Sequence, residues 1–356
     1  MKTLTILQTA TPDYRAKVFL TIKKNLGDNF SLFSGMSYFE NSITTDKSIV
    51  FLKPVKNHYF FKRKFLFQTG MWKETITCDL LVLELNPRII SSWILLFFRK
   101  LSAKKTVLWG HAWPRKGRNS KSDSIRHVMR ILGDEIIVYT KKQAKELQEK
   151  MPSKKIIAAP NAFLYKHEME TSNIPMAEIT DIIYVGRLTK VKKTRLLAEA
   201  FIRSISILPA KTNLIFIGEG EENQTLQNLA IENKLEDRIK ILGSIYNSEN
   251  LKKYYAKSLF SVSPGYAGLS IIQSFGFGVP ILISKNEKHA PEIEAVIENE
   301  NSIYFETDNS EDLGRKMLMI FQKKENWLKK RKEISKFCKK NYSIENMAQV
   351  FIDLVK

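Results

Sequence analysis

The sequence predicts an α/β protein with two doubly wound, parallel-sheet domains that face a cleft. The length of 356 residues is long for a single hydrophobic core. Short apolar runs alternate with runs of helical periodicity along most of the chain, which is typical of parallel sheets. Residues 163–180 interrupt this alternation with a polar, aperiodic stretch, which indicates a linker between two such series.

In the first half, each strand-length apolar run is followed by a helical pattern. The segment 14–26 repeats apolar residues at helical spacing from Val18 to Leu26, and the run 79–83 is apolar enough for a buried strand. Residues 58–64 are aromatic and basic and are predicted to form a loop. The remaining predicted strands are 4–7, 30–33, 49–52, 105–109, 135–139 and 155–158, and the remaining predicted helices are 87–101, 120–132 and 141–150.

The second half repeats the alternation after the linker. Its predicted strands are 181–185, 213–217, 239–242, 259–262 and 281–284, and its predicted helices are 194–207, 221–233, 247–257, 269–277 and a basic helical region from 310 to 330 and onward. We therefore expect a first domain at 1–165 and a second domain at 166–330. A helical region at 331–356 is expected to pack back on the first domain.

Positive charge is concentrated in the first half. Residues 1–170 hold 30 Lys and Arg against 14 Asp and Glu, whereas residues 171–356 hold 27 against 23. This imbalance leaves three kinds of partner open, namely a nucleic acid, an anionic membrane surface and a phosphorylated substrate. A nucleic-acid-binding protein would need a recognition helix or stacking aromatics along one surface, and the sequence shows no such motif.

The very apolar helix 87–101 ends in Arg99 and Lys100 and allows two interpretations. It is either a core helix whose basic carboxyl end suits the helix dipole, or a helix that rests on a membrane surface. The charge of the first half slightly favours the membrane. The loop 58–64 carries the same ambiguity, because it could touch a membrane or an acceptor, or be solvated with its aromatics partly buried. The apolar run 93–98 is far shorter than the ~18 residues of a spanning helix.

Several candidate site residues lie just after predicted strands. Open α/β sheets bind their ligands at this carboxyl edge. Arg15 begins the helix after the first strand, Glu84 directly follows the strand 79–83, and His111 follows the strand 105–109. A lone histidine at a strand end is more often structural, so position alone does not make His111 a ligand-binding residue.

Residues 263–280, SPGYAGLSIIQSFGFGVP, predict a strand end, a glycine turn, an apolar helix and a second glycine turn. A glycine before a helix, here Gly268, lets the backbone come close to a ligand. The first N–H groups of the helix and its dipole favour an anion, most often a phosphate. A strand-to-helix turn that binds nothing is the alternative on this pattern alone.

Four segments of the second half occur in a specific order and spacing. They are IIYVGRLTKVKK (182–193), LIFIGEGEE (214–222), IKILGSIYNSENLKKYY (239–255) and SVSPGYAGLSIIQSFGFGVPIL (261–282). Together they resemble the donor-binding half of bacterial glycosyltransferases of the GT-B fold, specifically the large family 4 of retaining enzymes that build surface polysaccharides. The first half is similar more loosely, through a Pro-x-Tyr-Arg turn after the first strand and a WGH turn near residue 110.

The resemblance implies that the second domain binds a nucleoside-diphosphate sugar. Arg187 and Lys192 match the family's cations that grip the diphosphate, whose charge grows as the glycosidic bond breaks. The other residues implied in donor binding are Gly186, which starts the basic loop, Gly243 and Ile245, which lie in the nucleobase segment, and Gly268, Leu269 and Ser270, which form the helix start that holds the distal phosphate.

The same resemblance assigns the first domain to the acceptor. Arg15 and Glu84 are expected on the acceptor side, and His111 is expected to contact the donor sugar or the diphosphate. No cofactor and no metal ion are expected, because Arg187, Lys192 and the helix N–H groups would carry the phosphate charge. The sequence also shows no cluster of carboxylates suited to a metal.

The sequence departs from the family at two positions. The family usually carries two glutamates eight residues apart around the glycine turn, and Gly265 and Gln273 stand there in this chain. Gln273 can still hydrogen-bond a ribose through its amide, whereas Gly265 can neither bond to a sugar hydroxyl nor carry charge. The sugar is then held differently, or a nearby acid such as Glu292 substitutes, or activity is altered or lost.

The expected function is hexosyl or deoxyhexosyl transfer, with retention, from a nucleotide sugar to a glycan or lipid-linked glycan. The resemblance places it in capsule, O-antigen or lipopolysaccharide-type assembly. Cys78 and Cys338 form no disulfide or metal pattern, so we expect a cytoplasmic protein, with possible peripheral contact at the anionic cytoplasmic face of the inner membrane. The alternative is a GT-B relative that binds nucleotide sugars without transferring them, such as an epimerase or a degenerate enzyme. A nucleic-acid-binding protein is the less favoured alternative.

Overall fold

The computed structural model describes residues 2–356 and confirms the predicted fold class. The chain divides into two compact units, one formed by residues 2–163 with Ile344–Lys356 and the other by Leu164–Ser343. Each unit is built on a parallel sheet whose strands alternate with helices along the chain. Both units are therefore Rossmann-like domains.

The first unit carries a parallel sheet and a separate hairpin. Its elements are β1 (Leu4–Gln8), α1 (Asp13–Leu26), β2 (Phe30–Ser34), β3 (Lys53–Pro54), β4 (Lys56–Phe60), β5 (Phe65–Thr69), α2 (Trp72–Thr77), β6 (Leu80–Glu84), α3 (Ile90–Leu101), β7 (Lys105–Trp109), α4 (Asp123–Leu132), β8 (Glu135–Val138), α5 (Lys141–Lys150) and β9 (Lys155–Ala158). The sheet order is β3-β2-β1-β6-β7-β8-β9, and β4 pairs with β5 in an antiparallel hairpin. The chain changes direction across the sheet between β1 and β6, where such sheets bind ligands.

Helices cover both faces of this sheet. On one face, Leu108 of β7 packs in a cluster with Leu95 of α3 and Met129 of α4. On the other face, the ring of Trp109 lies 6.3 Å from that of Phe19 in α1. Because successive strand residues point to opposite faces, α3 and α4 lie on one side of the sheet and α1 lies on the other.

The second unit repeats this plan. Its elements are β10 (Asp181–Val185), α6 (Thr194–Ser204), β11 (Leu214–Ile217), α7 (Asn223–Glu232), β12 (Ile239–Ile241), α8 (Ser248–Lys257), β13 (Ser258–Ser263), α9 (Leu269–Gly276), β14 (Ile281–Ser284), β15 (Ser302–Phe305), α10 (Ser310–Gln322) and α11 (Lys324–Asn341). The sheet order is β12-β11-β10-β13-β14-β15, with the change of direction between β10 and β13. The edge strand β15 lies outside the predicted strands, and the helix expected from residue 310 is interrupted at Lys323.

The last helix, α12 (Ile344–Asp353), belongs to the first unit. It packs against α1, and the ring of Phe351 lies 4.7 Å from that of Trp109. Residues 331–343 group with the second unit instead. The expected C-terminal region 331–356 is thus divided between the two units.

Two segments of the first unit differ from their predicted structure. Residues 49–52 form a turn and not a strand, since their apolar side chains serve local packing: Ile49 is buried, and the ring of Phe51 lies 6.1 Å from that of Phe30. Residues 58–64 are not a loop but the end of β4 and the turn into β5. Their exposure alternates along β4, as expected for a hairpin with one covered face.

The apolar helix α3 is a partly buried helix. It buries Leu95 and Leu96 against the sheet and leaves Phe97 and Leu101 exposed. Over residues 2–356, no helix combines the length and the hydropathy that crossing a membrane requires.

Candidate active site

Glycines bring two strand ends of the second unit into backbone contact. A Cβ on Gly218, after β11, would lie 1.9 Å from the carbonyl oxygen of Gly186, after β10. A Cβ on Gly220 would lie 2.2 Å from the carbonyl oxygen of Leu188. The Leu188 N–H donates to the Glu219 carbonyl at 2.8 Å. Any side chain at these glycines would overlap a backbone oxygen, so the loop that carries Arg187 depends on glycine for its place.

The predicted nucleobase segment lies beside the close contact of Gly186, Leu188, Gly218 and Gly220, which we call the glycine crossing. The Gly218 N–H donates to the Gly243 carbonyl at 2.8 Å, and Gly243 adopts a φ of +71° that favours glycine. Ile245 is half-buried, and the neighbouring Tyr246 is exposed. The segment 243–246 therefore presents an apolar and an aromatic side chain from a backbone that is tied to the glycine crossing.

Lys192 is held against the turn that precedes α9. Its Nζ donates to the Tyr266 carbonyl oxygen at 2.7 Å and lies 4.7 Å from the centre of the Tyr266 ring. The Tyr266 N–H in turn donates to the Val191 carbonyl at 3.2 Å. These contacts join the basic loop 186–193 to the turn 264–268, which lies 74 residues later in the chain.

The electrostatic setting of Lys192 makes its charge sensitive to pH. Burial, followed by the positive charge of Arg187, lowers the pKa of Lys192 to about 8, while Glu292 acts in the opposite direction. Arg187 itself is exposed, and its carbonyl accepts the Tyr184 hydroxyl at 2.9 Å. Two cations thus lie close enough to repel each other, an arrangement that an anion would relieve.

Gly265 is in close contact with the basic loop. A Cβ at this position would lie 2.4 Å from the Val191 carbonyl oxygen and 2.8 Å from the Lys192 carbonyl carbon. The backbone of the basic loop therefore occupies the direction in which a side chain would leave residue 265. The glutamate that the family carries at this position has no room in this chain.

The segment after β14 returns to the start of α9. The Ala290 N–H donates to the Ala267 carbonyl at 2.8 Å, and the Ala267 N–H donates to His289 Nδ1 at 3.1 Å. His289 Nε2 lies 2.8 Å from the Ser284 carbonyl, so these partners assign the proton to Nε2 of a neutral ring. Burial lowers the pKa of His289, which suits this neutral form.

Glu292 belongs to this segment and lies beside the glycine turn. Its side chain is buried, and its Oε2 lies 3.9 Å from the place where a Cβ on Gly268 would stand. A carboxylate near a helix start is stabilised by the helix dipole. The acid suggested by the sequence therefore lies beside the turn from which the family's glutamate is absent. Within the described residues, no group of three or more His, Cys, Asp and Glu side chains could hold a metal ion.

The first turns of α9 differ in their accessibility. Gly268 precedes the helix, and Leu269 and Ser270 at its start are half-buried. Gln273, one turn further along, is only 6% exposed, and its Oε1 accepts the Tyr255 hydroxyl at 3.3 Å. The oxygen of the amide that was expected to hydrogen-bond a ribose is therefore engaged in the core.

In the first unit, Arg15 and His111 both contact Tyr139. Arg15 donates to the Tyr139 hydroxyl at 2.9 Å, and its guanidinium lies 4.3 Å from the centre of the Trp109 ring. The His111 ring lies 4.8 Å from the Tyr139 ring, edge to face. The ends of β7 and β8 thus hold an arginine, an imidazole and a phenol together.

Glu84 lies within electrostatic reach of Arg15 and binds the chain after β1. The Thr9 N–H donates to its Oε1 at 2.5 Å and the Thr9 hydroxyl to its Oε2 at 3.0 Å. Burial raises the pKa of Glu84, and these two bonds oppose that change. Burial, followed by the charges of Arg126, Arg15 and Arg115, lowers the pKa of His111 to about 4, so its ring is neutral near pH 7.

Sequence reasoning missed three residues of these groups. Tyr266 and His289 hold the glycine turn of the second unit, and Tyr139 joins Arg15 to His111. Tyr139 directly follows β8, so the rule that selected His111 could have found it. His289 lies three residues before Glu292, the acid that the sequence suggested. Tyr266 acts through its backbone carbonyl and its ring, and its pairing with Lys192 left no signal in the sequence.

Comparison with known proteins shows similarity to glycosyltransferases. The chain is similar to an uncharacterized glycosyltransferase of Haemophilus influenzae, with 24% identity over 281 residues that cover 75% of each chain. Its structure is similar to Anabaena Alr3699/HepE in complex with UDP, with a TM-score of 0.72, 13% identity and 99% of each chain covered. It is also similar to the lipopolysaccharide outer core galactosyltransferase WaaB in its apo form, with a TM-score of 0.66, 12% identity and 99% of each chain covered.

The fold is that of the GT-B glycosyltransferases. Within it, residues 169–341 match the family model described as glycosyl transferases group 1. This matched segment contains the glycine crossing, Lys192, the turn before α9 and Glu292. Residues 169–341 thus resemble a glycosyl transferases group 1 domain, and with the structural neighbours this match supports a GT-B glycosyltransferase.

Proposed function

We propose that this protein transfers a sugar from a uridine-diphosphate sugar to a glycan or lipid-linked glycan, with retention at the anomeric carbon. The observation that carries the proposal is the contact between Lys192 and the Tyr266 carbonyl, because it sets a cation beside the first turn of α9. A cation and a helix start in one place form a site for phosphate. Uridine is the first base to test, since the similar Anabaena protein was solved with UDP.

The role proposed for this cluster is to stabilise the leaving diphosphate. Negative charge builds on the phosphate oxygens as the bond to the anomeric carbon breaks, so fixed positive groups lower the barrier. Arg187 supplies a planar guanidinium that suits two phosphate oxygens, and Lys192 supplies a compact charge. The N–H groups of Gly268, Leu269 and Ser270 bind the distal phosphate. These groups carry the charge without a metal ion, so transfer is expected to continue when EDTA is present.

The remaining donor contacts follow from position. Gly186 and Gly243 let the backbone approach the nucleotide, Ile245 lies against its base, and Gln273, whose amide oxygen bonds Tyr255, offers its amide nitrogen to the ribose. Glu292 takes the place of the carboxylate that Gly265 cannot supply and lies next to the transferred sugar. Its placement near Gly268 supports this role, because the diphosphate would be bound at the same helix start.

The first domain is proposed to bind the acceptor. Arg15, Glu84 and His111 lie at the carboxyl edge of its sheet, where ligands of such domains bind. Arg15 suits a phosphorylated acceptor, and a neutral His111 can exchange hydrogen bonds with a hydroxyl. We assign the enzyme to hexosyl or deoxyhexosyl transfer in capsule, O-antigen or lipopolysaccharide-type assembly, in the cytoplasm and at the anionic inner face of the membrane. The likeness to WaaB and the basic first half support this assignment.

A second candidate function is binding of a nucleotide sugar without transfer to an acceptor. The observation that favours it is the contact of Gly265 with the basic loop, which removes the family's carboxylate from the sugar side of the site. In that case the nucleotide would still bind at Lys192 and α9. Sugar transfer would be lost or replaced by reaction of the donor alone, as in an epimerase.

Transfer assays with a set of UDP-sugars and bacterial lipid-linked glycans separate these functions. The proposal predicts UDP release that depends on the acceptor, and a product whose anomeric configuration, read by NMR, matches that of the donor. Release of UDP without an acceptor, or nucleotide binding with no reaction, would favour the second candidate. An inverted product would contradict the retaining mechanism.

A further inference from the structure

An apolar stripe runs along the outer side of α3. Ile90, Phe97, Phe98 and Leu101 are exposed and Ile94 is half-buried, at spacings that place all five on one helix face. Phe97 is 58% exposed and Leu101 is 71% exposed. The outer face of a surface helix is normally polar, so this exposed apolar stripe indicates an interaction surface.

The neighbouring helix continues the stripe. Ile125, Val128 and Ile131 of α4 are all exposed. Because α3 and α4 pack side by side on the same face of the sheet, both helices expose apolar side chains on this side of the first unit. We define the apolar surface as the stripe of α3, these three residues of α4, and the hairpin residues Phe61 and Phe65 described next.

The hairpin tip holds an unusual backbone that exposes a phenylalanine. Phe61, Lys62 and Arg63 have φ values of +50°, +54° and +61°, a left-handed conformation that non-glycine residues rarely adopt. Arg63 fixes the turn, because its guanidinium donates to the Phe39 carbonyl at 3.1 Å and lies 3.7 Å from the centre of the Tyr59 ring. Phe61 is left 76% exposed at the tip. Strained backbone of this kind is commonly associated with function.

The hairpin and the stripe are continuous. Leu66 of β5 forms a parallel bridge with Ile89, and both side chains are buried in one cluster. Their chain neighbours Phe65 and Ile90 are both exposed. The ring of Phe61 lies 6.2 Å from that of Phe65, which extends this exposed group to the hairpin tip.

Charge around the apolar surface determines what can cover it. Residues 88–131, which include α3 and α4, hold 11 Lys and Arg and a single acid, Asp123. Asp123 is buried and bonded to Arg130 at 2.7 Å and Lys150 at 2.8 Å. Arg99 is buried too, and acids outside this range pair with Lys100, Lys104, Lys105 and Arg115. The exposed side chains of Lys116, Arg118 and Lys121 therefore carry most of the net positive charge of this range. A second copy of this chain would bring the same positive charge to the contact and be repelled. An anionic lipid surface offers both an apolar layer and opposite charge.

We propose that the apolar surface docks the first unit on an anionic phospholipid bilayer. The aromatic and aliphatic side chains enter the boundary between headgroups and acyl chains, and the surrounding lysines and arginines bind the headgroup phosphates. This docking deepens the proposed function and rests on it for one point, namely that the acceptor is lipid-linked and is reached from the membrane surface.

Vesicle flotation tests the docking with the full chain. The probes are phosphatidylcholine vesicles with about 40% phosphatidylglycerol and vesicles of phosphatidylcholine alone. The proposal predicts that the wild type floats with the anionic vesicles at least about tenfold better and that added salt weakens this binding. Phe97→Glu/Leu101→Glu is expected to reduce binding about tenfold or more, because both side chains are exposed and their replacement puts two negative charges on the surface.

Leu20→Glu is the matched control. Leu20 is an exposed leucine on α1, which packs on the other face of the sheet, so this variant is expected to bind vesicles like the wild type. Equal binding to both vesicle types, or full binding by the Phe97/Leu101 variant, would overturn the proposal. Concentration-dependent dimers that the Phe97/Leu101 variant loses would also overturn it, in favour of a second copy. UDP titration of each sample reports on the donor site independently, so failure of docking and failure of the proposed function remain distinguishable.

Discussion

The charge of Lys192 gives a prediction about pH that the structure quantifies. Its pKa in the free protein is about 8, and a bound diphosphate raises that pKa because opposite charge favours the protonated form. UDP therefore binds with its full affinity near neutral pH, and this affinity declines as pH rises through the pKa of Lys192 in the free protein. Since a pKa of about 8 leaves Lys192 mostly protonated at about pH 7 and mostly neutral at about pH 9, we expect affinity to fall about tenfold between them.

The assay is calorimetric titration with UDP across this range at constant ionic strength. Lys192→Arg is the matched control, because a guanidinium keeps its charge over the whole range. Any decline that remains in this variant belongs to the ligand or to other groups of the protein. Lys192→Met is expected to bind UDP about tenfold or more weakly at pH 7, since a hydrogen bond to a charged group contributes about 1.5–3 kcal/mol.

Two results would refute this reasoning. The first is wild-type affinity that stays constant between about pH 7 and pH 9, which would mean that the amine of Lys192 does not bind the diphosphate. The second is an equal decline in the wild type and Lys192→Arg, which would assign the titration to another group.

Three further predictions concern other parts of the chain. Gly265→Ala should lower stability by about 1–3 kcal/mol and weaken UDP binding, because the new methyl group overlaps the Val191 carbonyl; a thermal melt with unchanged midpoint would contradict it. Glu292→Gln should leave UDP affinity within about threefold near pH 7 yet lower kcat for sugar transfer by about a hundredfold, as read by UDP release; equal rates would remove Glu292 from the mechanism. Arg99→Met should cost about 3 kcal/mol or more in urea unfolding, since the buried guanidinium donates to the Cys78 and Lys105 carbonyls among others.

The fold was predictable from the sequence because its parallel strands are buried on both faces. The segments 182–185 and 281–283 are continuous apolar runs for that reason, and both lie in strands of the structure. The prediction failed where apolar residues are buried outside a strand, and where a strand exposes its aromatic residues. Residues 49–52 are apolar because Ile49 and Phe51 pack in a turn, and the alternation along β4 was obscured by exposed aromatics.

The candidate site was predictable only in part, because its contacts join distant segments. Motif position pointed to Lys192, Gly268 and Glu292, which the structure brings to one helix start. The reason for the glycine at residue 265 could not be seen in the sequence, because it depends on the distance to the Val191 carbonyl, 74 positions earlier. The hydrogen bond between the Tyr255 hydroxyl and Gln273 likewise depends on how α9 packs on α8, which the sequence does not show.

The most direct test of the donor site is calorimetric titration with UDP, GDP and ADP of the wild type and of Arg187→Ala/Lys192→Ala. The account predicts saturable binding of one nucleotide, with UDP the first candidate, and a loss of about tenfold or more in the double variant because two phosphate contacts are removed. Equal affinity in both proteins would place the nucleotide elsewhere. Binding of none of the three nucleotides by a folded wild type would contradict the proposed transferase.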